Sequence, residues 1–195
     1  MKIESLFKPI YLAKRLQYKL YEIFHPDEPW IAQGAIRWCD KHLTTEHTGL
    51  EWGSGRSTLW FSKRLKSLVS IEYNKAWYTE LSSQLNVKQI PNVDLRYIEL
   101  DHPLNAPTPA HYGSNPKYVK VSEEFEDETL DFVVVDGHYR QACILSAIPK
   151  IKPGGFLLVD NTNRMPLDEW GVPKSWSIIH QSHNVMTETT IWKKN

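Results

Sequence analysis

The segment from residue 49 to residue 58, Gly-Leu-Glu-Trp-Gly-Ser-Gly-Arg-Ser-Thr, joins the end of an apolar strand to the start of a helix. Gly53 and Gly55 stand at the turn, where glycine adopts backbone conformations that are closed to other residues. Because glycine has no side chain, a bound molecule can approach the main chain and the unpaired amides at the helix start. The segment therefore predicts a strand, turn and helix that receive a ligand.

Strands and helices are predicted to alternate through the rest of the chain. Apolar runs predict strands at 50–52, 68–72, 93–100, 130–136 and 156–159, and amphipathic patterns predict helices at 57–68, 75–85 and 141–151. Two later runs, 176–179 and 189–192, are close enough in sequence to form an antiparallel pair. Together these elements predict an α/β fold with a mostly parallel sheet, helices on both faces and right-handed crossovers.

The first 45 residues are predicted to form two helices packed on the core, ahead of a domain that spans residues 46–195. Apolar residues recur at helical spacing from Ile3 to Phe24 with basic residues between them, and a second helix is predicted at 30–43. Such a basic amphipathic helix fits weak contact with a membrane surface or with a partner. Packing on the domain, with the charges in water, is the favoured interpretation.

Composition excludes several classes of protein. The 195 residues suit one domain, and 23 basic residues balance 23 acidic ones, so no nucleic-acid partner is expected. Cys39 and Cys143 match neither a metal spacing nor a disulfide framework and are expected to be buried thiols. Without a long apolar span or a signal-peptide pattern, a soluble cytoplasmic protein is expected, and a homo-oligomer is compatible with the sequence.

Polar side chains follow the predicted strands where each strand ends. They lie at 51–58, 72–73, 136–140 and 160–164, and in open α/β sheets ligands bind at this edge. Glu72 follows Gly55 by seventeen positions, close to the spacing at which a carboxylate accepts hydrogen bonds from a ribose. Two adjacent hydroxyl donors fit one carboxylate, so the pair Gly55 and Glu72 predicts a nucleotide-like ligand.

Four motifs taken together resemble the class I S-adenosylmethionine-dependent methyltransferases over about residues 48–195. They are Glu51-x-Gly53-x-Gly55, Glu72, Val135-Asp136-Gly137, and Pro153-Gly154-Gly155 leading to Asp160. The resemblance implies a Rossmann-like fold whose seven-stranded sheet has a reversed last strand, and it implies S-adenosylmethionine as cofactor. The cofactor-binding positions that it implies are Glu51, Gly53, Ser54, Gly55, Ser57 and Thr58 at the methionine end, Glu72 and Tyr73 at the ribose, Asp101 near the adenine, and Asp136.

A nicotinamide-dependent oxidoreductase is the main alternative, because it would use Glu72 in the same way. Its G-x-G-x-x-G motif needs a third glycine for the approach of the pyrophosphate, and this chain has Thr58 there. No Tyr-x-x-x-Lys pair follows. A protein that binds S-adenosylmethionine without transferring its methyl group is a second alternative.

A partial resemblance to the caffeoyl-CoA and catechol O-methyltransferases implies a metal site and a base. Asp136, Asp160 and Asn161 stand where those enzymes hold a divalent cation, and oxygen ligands suit Mg²⁺ or Mn²⁺. Tyr139 replaces the lysine of that type, and His138 stands one place earlier. His138 is then either the general base, with Asp136 as the second catalytic residue, or a side chain that only supports its turn.

The acceptor is expected to be a hydroxyl of a small molecule or a saccharide. This expectation follows from a resemblance to small relatives with Gly-Ser-Gly-x-Ser-Thr-x-Trp and Val-Asp-Gly-x-x-Arg motifs, which Trp60 and Arg140 complete here. Arg140 either holds an acidic acceptor or forms a salt bridge to a neighbouring helix. Residues 101–121 and 161–175, the latter with Arg164 and Trp170, are interpreted as lids over an aromatic pocket or as variable surface loops.

Overall fold

A seven-stranded sheet forms the centre of the protein. The computed structural model describes residues 9–101, 116–184 and 186–195. Its strands follow the order β3-β2-β1-β4-β5-β7-β6, with β1 to β5 parallel and β7 antiparallel to both of its neighbours. The strands are β1 (Thr48–Trp52), β2 (Ser67–Glu72), β3 (Val93–Tyr97), β4 (Leu130–Val135), β5 (Ile151–Asp160), β6 (Ser177–His183) and β7 (Glu188–Lys193).

Helices connect the parallel strands and cover the sheet. They are α1 (Pro9–Phe24), α2 (Gln33–His42), α3 (Arg56–Phe61), α4 (Lys75–Val87), α5 (Lys117–Lys120) and α6 (Arg140–Ala147). Short 3₁₀ turns follow at 121–124, 148–150, 162–164 and 167–170. The prediction of a mostly parallel sheet closed by an antiparallel pair is confirmed.

Both faces of β4 are buried, as its uninterrupted apolar sequence predicts. Phe132 and Val134 pack into one hydrophobic cluster, and Val133 and Val135 pack into the other, on the opposite face. Because successive side chains of a strand point to opposite faces, such a strand must be apolar throughout. The residues that follow β4 therefore emerge from the middle of the sheet.

Two predicted boundaries differ from the structure for local reasons. Helix α3 ends at Phe61 instead of continuing to residue 68, because residues 62–66 turn the chain directly into β2. Strand β5 begins at Ile151 and includes the predicted turn Pro153-Gly154-Gly155. Gly154 has a positive φ of 83°, and the pairing of β4 with β5 shifts register beside it, so the turn is accommodated as an irregularity within the strand.

The two N-terminal helices differ in how they meet the domain. Ala35, Ile36 and Cys39 of α2 are buried in the core. The apolar face of α1 does not pack on the domain as expected, because Leu16, Leu20, Ile23 and Phe24 are 60%, 46%, 68% and 76% exposed. Cys39 and Cys143 are free and buried, as predicted.

None of the helices within the described residues has the length and apolar character needed to span a bilayer.

Candidate functional site

A cleft of about 670 Å³ opens at the carboxyl ends of β1, β2 and β4. Ligand sites typically occupy 300–1,000 Å³, so a nucleoside-sized molecule fits this space. Most of the predicted cofactor-binding positions line it. The lining residues are Trp30, Gly53, Ser54, Gly55, Arg56, Ser57, Glu72, Tyr73, Asn74, Ala76, Trp77, Asp136, Gly137, His138, Arg140 and Arg164.

Gly53 and Gly137 bring the two central turns of the cleft into backbone contact. Gly53 has a φ of 98°, and a Cβ atom there would lie 2.7 Å from the Gly137 amide nitrogen and 2.8 Å from the Asp136 carbonyl carbon. A Cβ on Gly137 would lie 2.9 Å from the Gly53 nitrogen and closer still to the Tyr118 hydroxyl oxygen. Both positions therefore require glycine, and together they fix the floor of the cleft.

Trp77 of α4 holds the glycine turn from the other side. Its indole Nε1 donates a hydrogen bond to the Ser54 carbonyl at 2.7 Å, and the indole lies above Gly55. Gly55 has a φ of 175°, an extended conformation open to any residue, so its lack of a side chain matters here for space rather than for backbone strain. Sequence analysis did not identify Trp77, because a tryptophan on a helix face is most often a core residue.

Glu51 lies behind the glycine turn and does not line the cleft. Its carboxylate is fully buried, and Oε2 accepts hydrogen bonds of 2.6 Å from both Thr58 and Ser70. Thr58 also accepts a hydrogen bond from the Gly55 amide at 2.9 Å. Glu51 and Thr58 therefore tie the turn to β1 and β2, and they position residues that face the cleft.

The second oxygen of Glu51 is an unsatisfied acceptor. Oε1 makes no hydrogen bond of normal length to any residue within the described ranges. Burial raises the pKa of Glu51 above its ordinary value, and the hydroxyls of Ser57, Ser70 and Thr58 oppose that rise. Ser57 both interacts with this buried carboxylate and lines the cleft, so it links Glu51 to the residues that face a ligand.

Glu72 ends β2 on the wall of the cleft. Its Oε1 accepts a hydrogen bond of 2.6 Å from the Asn74 amide, which fixes the side chain near the turn into α4. Burial raises the pKa of Glu72, and backbone amides of Asn74, Tyr73 and Ser54 favour its charged form. The carboxylate is thus held in place before any ligand arrives, as recognition of a ribose requires.

Arg140 clamps the ends of β4 and β5 together. Its Nη2 donates to the Asp136 carbonyl at 2.8 Å and to the Asp136 carboxylate at 2.6 Å, its Nε donates to the Gly137 carbonyl at 3.1 Å, and its Nη1 donates to the Asp160 carbonyl. The side chain is only 11% exposed. These contacts favour an internal role for Arg140 over binding of an acceptor, because its donors are already occupied, but its ion-pair partner is Asp136 at the end of β4 rather than a neighbouring helix.

Asp136 stands at the edge of the cleft with one side toward Arg140. Burial raises the pKa of Asp136, the nearby Asp160 carboxylate raises it further, and Arg140 lowers it. The carboxyl group faces the cleft beside Gly137 and His138. A cationic ligand group at this point would favour the charged form.

The three predicted metal ligands do not come together as a metal site. Asp160 is buried and does not line the cleft; its Oδ1 accepts hydrogen bonds from Thr187 at 2.8 Å and Thr189 at 2.5 Å, and its Oδ2 accepts one from Asn161 at 2.7 Å. The side-chain amide of Asn161 donates hydrogen bonds to the Asp160 carboxylate and the Thr187 hydroxyl. The described residues contain no group of three or more His, Cys, Asp or Glu side chains that could hold an ion, so the structure does not support the predicted divalent cation.

His138 lies beside the aromatic rings of Tyr73 and Tyr139. Its ring centroid is 5.7 Å from that of Tyr73 and 4.6 Å from that of Tyr139. Tyr139 has a φ of 51° and precedes α6, and Asn161 has a φ of 57° after β5. Left-handed conformations cost free energy in residues other than glycine and occur preferentially at functional sites, so they support a functional role for both turns.

Two predicted features lie away from the cleft. Asp101 is exposed, accepts a hydrogen bond of 3.3 Å from the Lys117 amide and is absent from the cleft lining, so its predicted role near an adenine remains a prediction. Residues 102–115 of the first predicted lid lie outside the described residues. Trp170 of the second is buried in the core and donates to the Thr162 carbonyl at 3.3 Å, so it is not an aromatic wall of the pocket.

The rim of the cleft carries aromatic and cationic side chains, of which Arg164 was expected from the sequence as part of the second predicted lid and the others were not. Trp30 and Trp77 stack with ring centroids 6.1 Å apart, and the Arg56 guanidinium lies 4.6 Å from the Trp30 ring centroid. Arg164, on the turn after β5, is exposed and forms no salt bridge within 4 Å with a described residue. Trp30 precedes α2 by sequence, so only the tertiary fold brings it to the site.

No protein-family model matches the chain, and no curated protein matches it. Solved structures do resemble it. A putative methyltransferase from Escherichia coli has a TM-score of 0.60 at 13% identity over 83% of this chain and 84% of its own. An rRNA methylase from Streptococcus thermophilus has a TM-score of 0.61 at 11% identity, over 85% of this chain and 99% of its own.

The chain has the class I methyltransferase fold. This fold includes the antiparallel β7 between β5 and β6 as well as the glycine turn after β1. A third protein of this fold, a putative methyltransferase from Streptococcus mutans, was solved in complex with S-adenosylhomocysteine (SAH); its TM-score is 0.59 at 11% identity, over 85% of this chain and 99% of its own. Identities this low relate the folds and leave the ligand to be argued from the cleft.

Proposed function

We propose that this protein transfers the methyl group of S-adenosylmethionine to a hydroxyl of a small-molecule or saccharide acceptor. The observation that carries the proposal is the cleft in which the Gly53–Gly55 turn, Glu72 and the Asp136–His138 turn converge. Each is a separate strand end, and the class I methyltransferase fold brings the three together at the edge where α/β sheets bind ligands.

The cleft suits a nucleoside with a cationic tail and no phosphates. Glu72 presents a fixed carboxylate to a ribose, while the Asp136 carboxylate favours an amine near the glycine turn. A nicotinamide dinucleotide would instead bring a pyrophosphate toward these buried acids, which repel it. The sheet also departs from the all-parallel 3-2-1-4-5-6 order of dinucleotide-binding folds, because β7 is reversed and lies between β5 and β6.

When bound, S-adenosylmethionine supplies an electrophilic methyl group on a sulfonium. Glu72 would hold the ribose hydroxyls and Asp136 the amine of this cofactor, and His138 lines the same cleft beside Asp136. The acceptor oxygen forms the new bond to the methyl carbon as the carbon–sulfur bond breaks, and the electron pair stays on sulfur. His138 takes the hydroxyl proton, which raises the nucleophilicity of the oxygen in the transition state.

Arg164 and Arg56 are better placed than Arg140 to select an acidic acceptor. Both line the cleft, whereas the donors of Arg140 are bound to strand ends. Burial and the proximity of Arg140 lower the pKa of Arg164, and an acceptor carboxylate beside it would compensate for both effects. An RNA acceptor gains no support from the chain, whose basic and acidic residues balance.

The cofactor is tested by thermal unfolding with SAH, NAD and NADP. A ligand at 100 times its dissociation constant stabilises the native state by about 2.7 kcal/mol, which for a chain of this size raises the Tm by roughly 5–10 °C. We expect this shift with SAH and none with NAD or NADP. Glu72→Ala should abolish most of it, and Glu80→Ala, on the exposed face of α4, should retain it. A shift with NAD in place of SAH would overturn the proposal.

The general base is tested by His138→Gln. We expect methyl incorporation from labelled S-adenosylmethionine into saccharide and metabolite fractions to fall about 10²- to 10⁴-fold, with little change in SAH affinity. His183→Gln, on an exposed residue of β6, is the matched control and should retain full incorporation. Equal activity of both variants would show that His138 is not the general base and only supports its turn. Methyl incorporation by the wild type into RNA alone would contradict the proposed acceptor.

A further inference from the structure

Helix α1 carries its apolar residues on the side that faces away from the domain. Leu16, Leu20, Ile23 and Phe24 follow the i, i+4, i+7, i+8 pattern of one helical stripe, and every one is exposed. Amphipathic helices of globular proteins normally bury this stripe. The exposure therefore extends over the four described side chains of the stripe, from Leu16 to Phe24.

The opposite, polar face of α1 lies toward the domain, where Tyr18 and Tyr21 line a small pocket with Ile31 and Arg56. Tyr18 is half-buried, and burial together with the nearby Glu22 carboxylate raises its pKa to about 12. Tyr21 donates a hydrogen bond to Glu28 and stacks on His25 with ring centroids 4.2 Å apart. Since these contacts use the polar face, burying the apolar stripe on the same domain would require the helix to roll over and break them.

The charged residues of α1 indicate which kind of surface would cover the apolar stripe. Residues 9–24 contain three basic side chains and one acid, Glu22, which lies on the same flank as Arg15 and Lys19 but is partly buried. Arg15 and Lys19 are exposed along the flank of the apolar stripe. Basic residues beside an apolar stripe match an interface of anionic headgroups over acyl chains.

A second copy of the chain fits the stripe less well than a bilayer does. Stable protein interfaces bury about 800 Å² on each partner, and four side chains on one helix supply only a few hundred Å². Pairing two such helices would also set the basic flanks of both copies near each other. Lipid insertion needs no complementary protein surface, and each basic side chain near an anionic surface adds about 1 kcal/mol of attraction.

We propose that α1 docks this protein on an anionic membrane surface, with Leu16, Leu20, Ile23 and Phe24 inserted and Arg15 and Lys19 at the headgroups. The site lies beside the candidate active cleft, because Tyr18 lines a small pocket together with Trp30 and Arg56, and both of those residues also line the cleft. Docking would therefore bring the mouth of the cleft to the lipid surface. This proposal does not depend on the identity of the cofactor or the acceptor.

The test is co-sedimentation of the full chain with vesicles of phosphatidylcholine, alone or mixed with phosphatidylglycerol. We expect binding to the mixed vesicles and weaker binding at high salt. Ile23→Ser/Phe24→Ser should lower the partition coefficient at least about tenfold, because two large apolar side chains no longer insert. Val87→Ser, which removes an 80% exposed apolar residue from α4, is the matched control and should bind like the wild type.

A second variant separates insertion from charge. Arg15→Glu/Lys19→Glu should lose the preference for phosphatidylglycerol, and all variants should keep the wild-type Tm because the changed side chains are exposed. Wild-type protein that stays in the supernatant with mixed vesicles would overturn the proposal. So would a dimer, detected by light scattering without lipid, that Ile23→Ser/Phe24→Ser converts to monomer.

Discussion

Gly53→Ala should destabilise the protein by about 2–5 kcal/mol and weaken SAH binding at least about tenfold. The added methyl group meets backbone atoms of Asp136 and Gly137 at 2.7–2.9 Å, and the φ of 98° is strained for any residue with a Cβ. Relief requires the turn after β1 and the turn after β4 to move apart. Because both turns line the cleft, stability and ligand binding should fall together, as urea denaturation and titration calorimetry with SAH would measure.

Gly154→Ala is the matched control for this change. Gly154 has a similar φ of 83°, but no atom lies within 4 Å of the position that its Cβ would occupy. Gly154→Ala should therefore cost only the strain of the positive φ, about 1–2 kcal/mol. Gly154 lies in β5, away from the cleft lining. Equal losses for the two variants, with SAH affinity unchanged in both, would show that the contact between the two turns does not shape the cleft.

The fold could be predicted from the sequence because its strongest signals are local. The apolar run of β4 requires burial on both faces, and the glycine turn, Glu72 and the terminal strand pair each fall at a fixed place in the α/β pattern. Such signals depend on residues near one another in the chain. Helix boundaries were less predictable, since Leu65 and Leu68 continue the helical spacing of α3 although the chain has already turned.

The site could be predicted only as a set of strand ends. That Gly53, Glu72 and Asp136 line one cleft follows from parallel strands, whose carboxyl ends meet at one edge. The strand order does not show which of the side chains at these strand ends point into the cleft. Asp160 ends β5 just as Asp136 follows β4, yet its carboxylate accepts hydrogen bonds from Thr187, just before β7, and from Thr189 of β7. Only the tertiary fold brings these two partners to Asp160.

The contacts of the rim residues and the orientation of α1 also depend on the tertiary fold and could not be predicted from the sequence. Trp30, Trp77 and Arg56 meet because three separate segments converge, so no spacing in the sequence predicts their stack. The periodicity of α1 correctly predicts an amphipathic helix but assumes that the apolar face turns inward. The tyrosines on its polar face lie toward the domain instead, and the hydrogen bond from Tyr21 to Glu28 depends on a residue outside the helix.

Arg140→Met should destabilise the protein by about 3 kcal/mol, because it leaves a largely buried carboxylate without its partner. Three carbonyl groups, those of Asp136, Gly137 and Asp160, lose a donor in the same change. Arg96→Met is the matched control. Arg96 pairs with Asp94 and Glu124, both more than half exposed, and removal of such surface pairs costs about 1 kcal/mol or less.

The pH dependence of the Arg140→Met deficit identifies its origin. The pKa of Asp136 is raised in the folded protein, so its ionisation opposes folding above that pKa, and the opposition disappears as the pH falls below the unfolded value. Arg140 lowers the pKa of both Asp136 and Asp160, so its removal enlarges the opposition at neutral pH. The deficit measured by urea denaturation should therefore shrink as the pH falls from neutrality into the acid range, and Asp136→Asn in the Arg140→Met background should recover part of it. A deficit that stays constant with pH, or one that Asp136→Asn leaves unchanged, would assign the stabilisation to the carbonyl hydrogen bonds and remove Asp136 as the charge that Arg140 balances at the cleft.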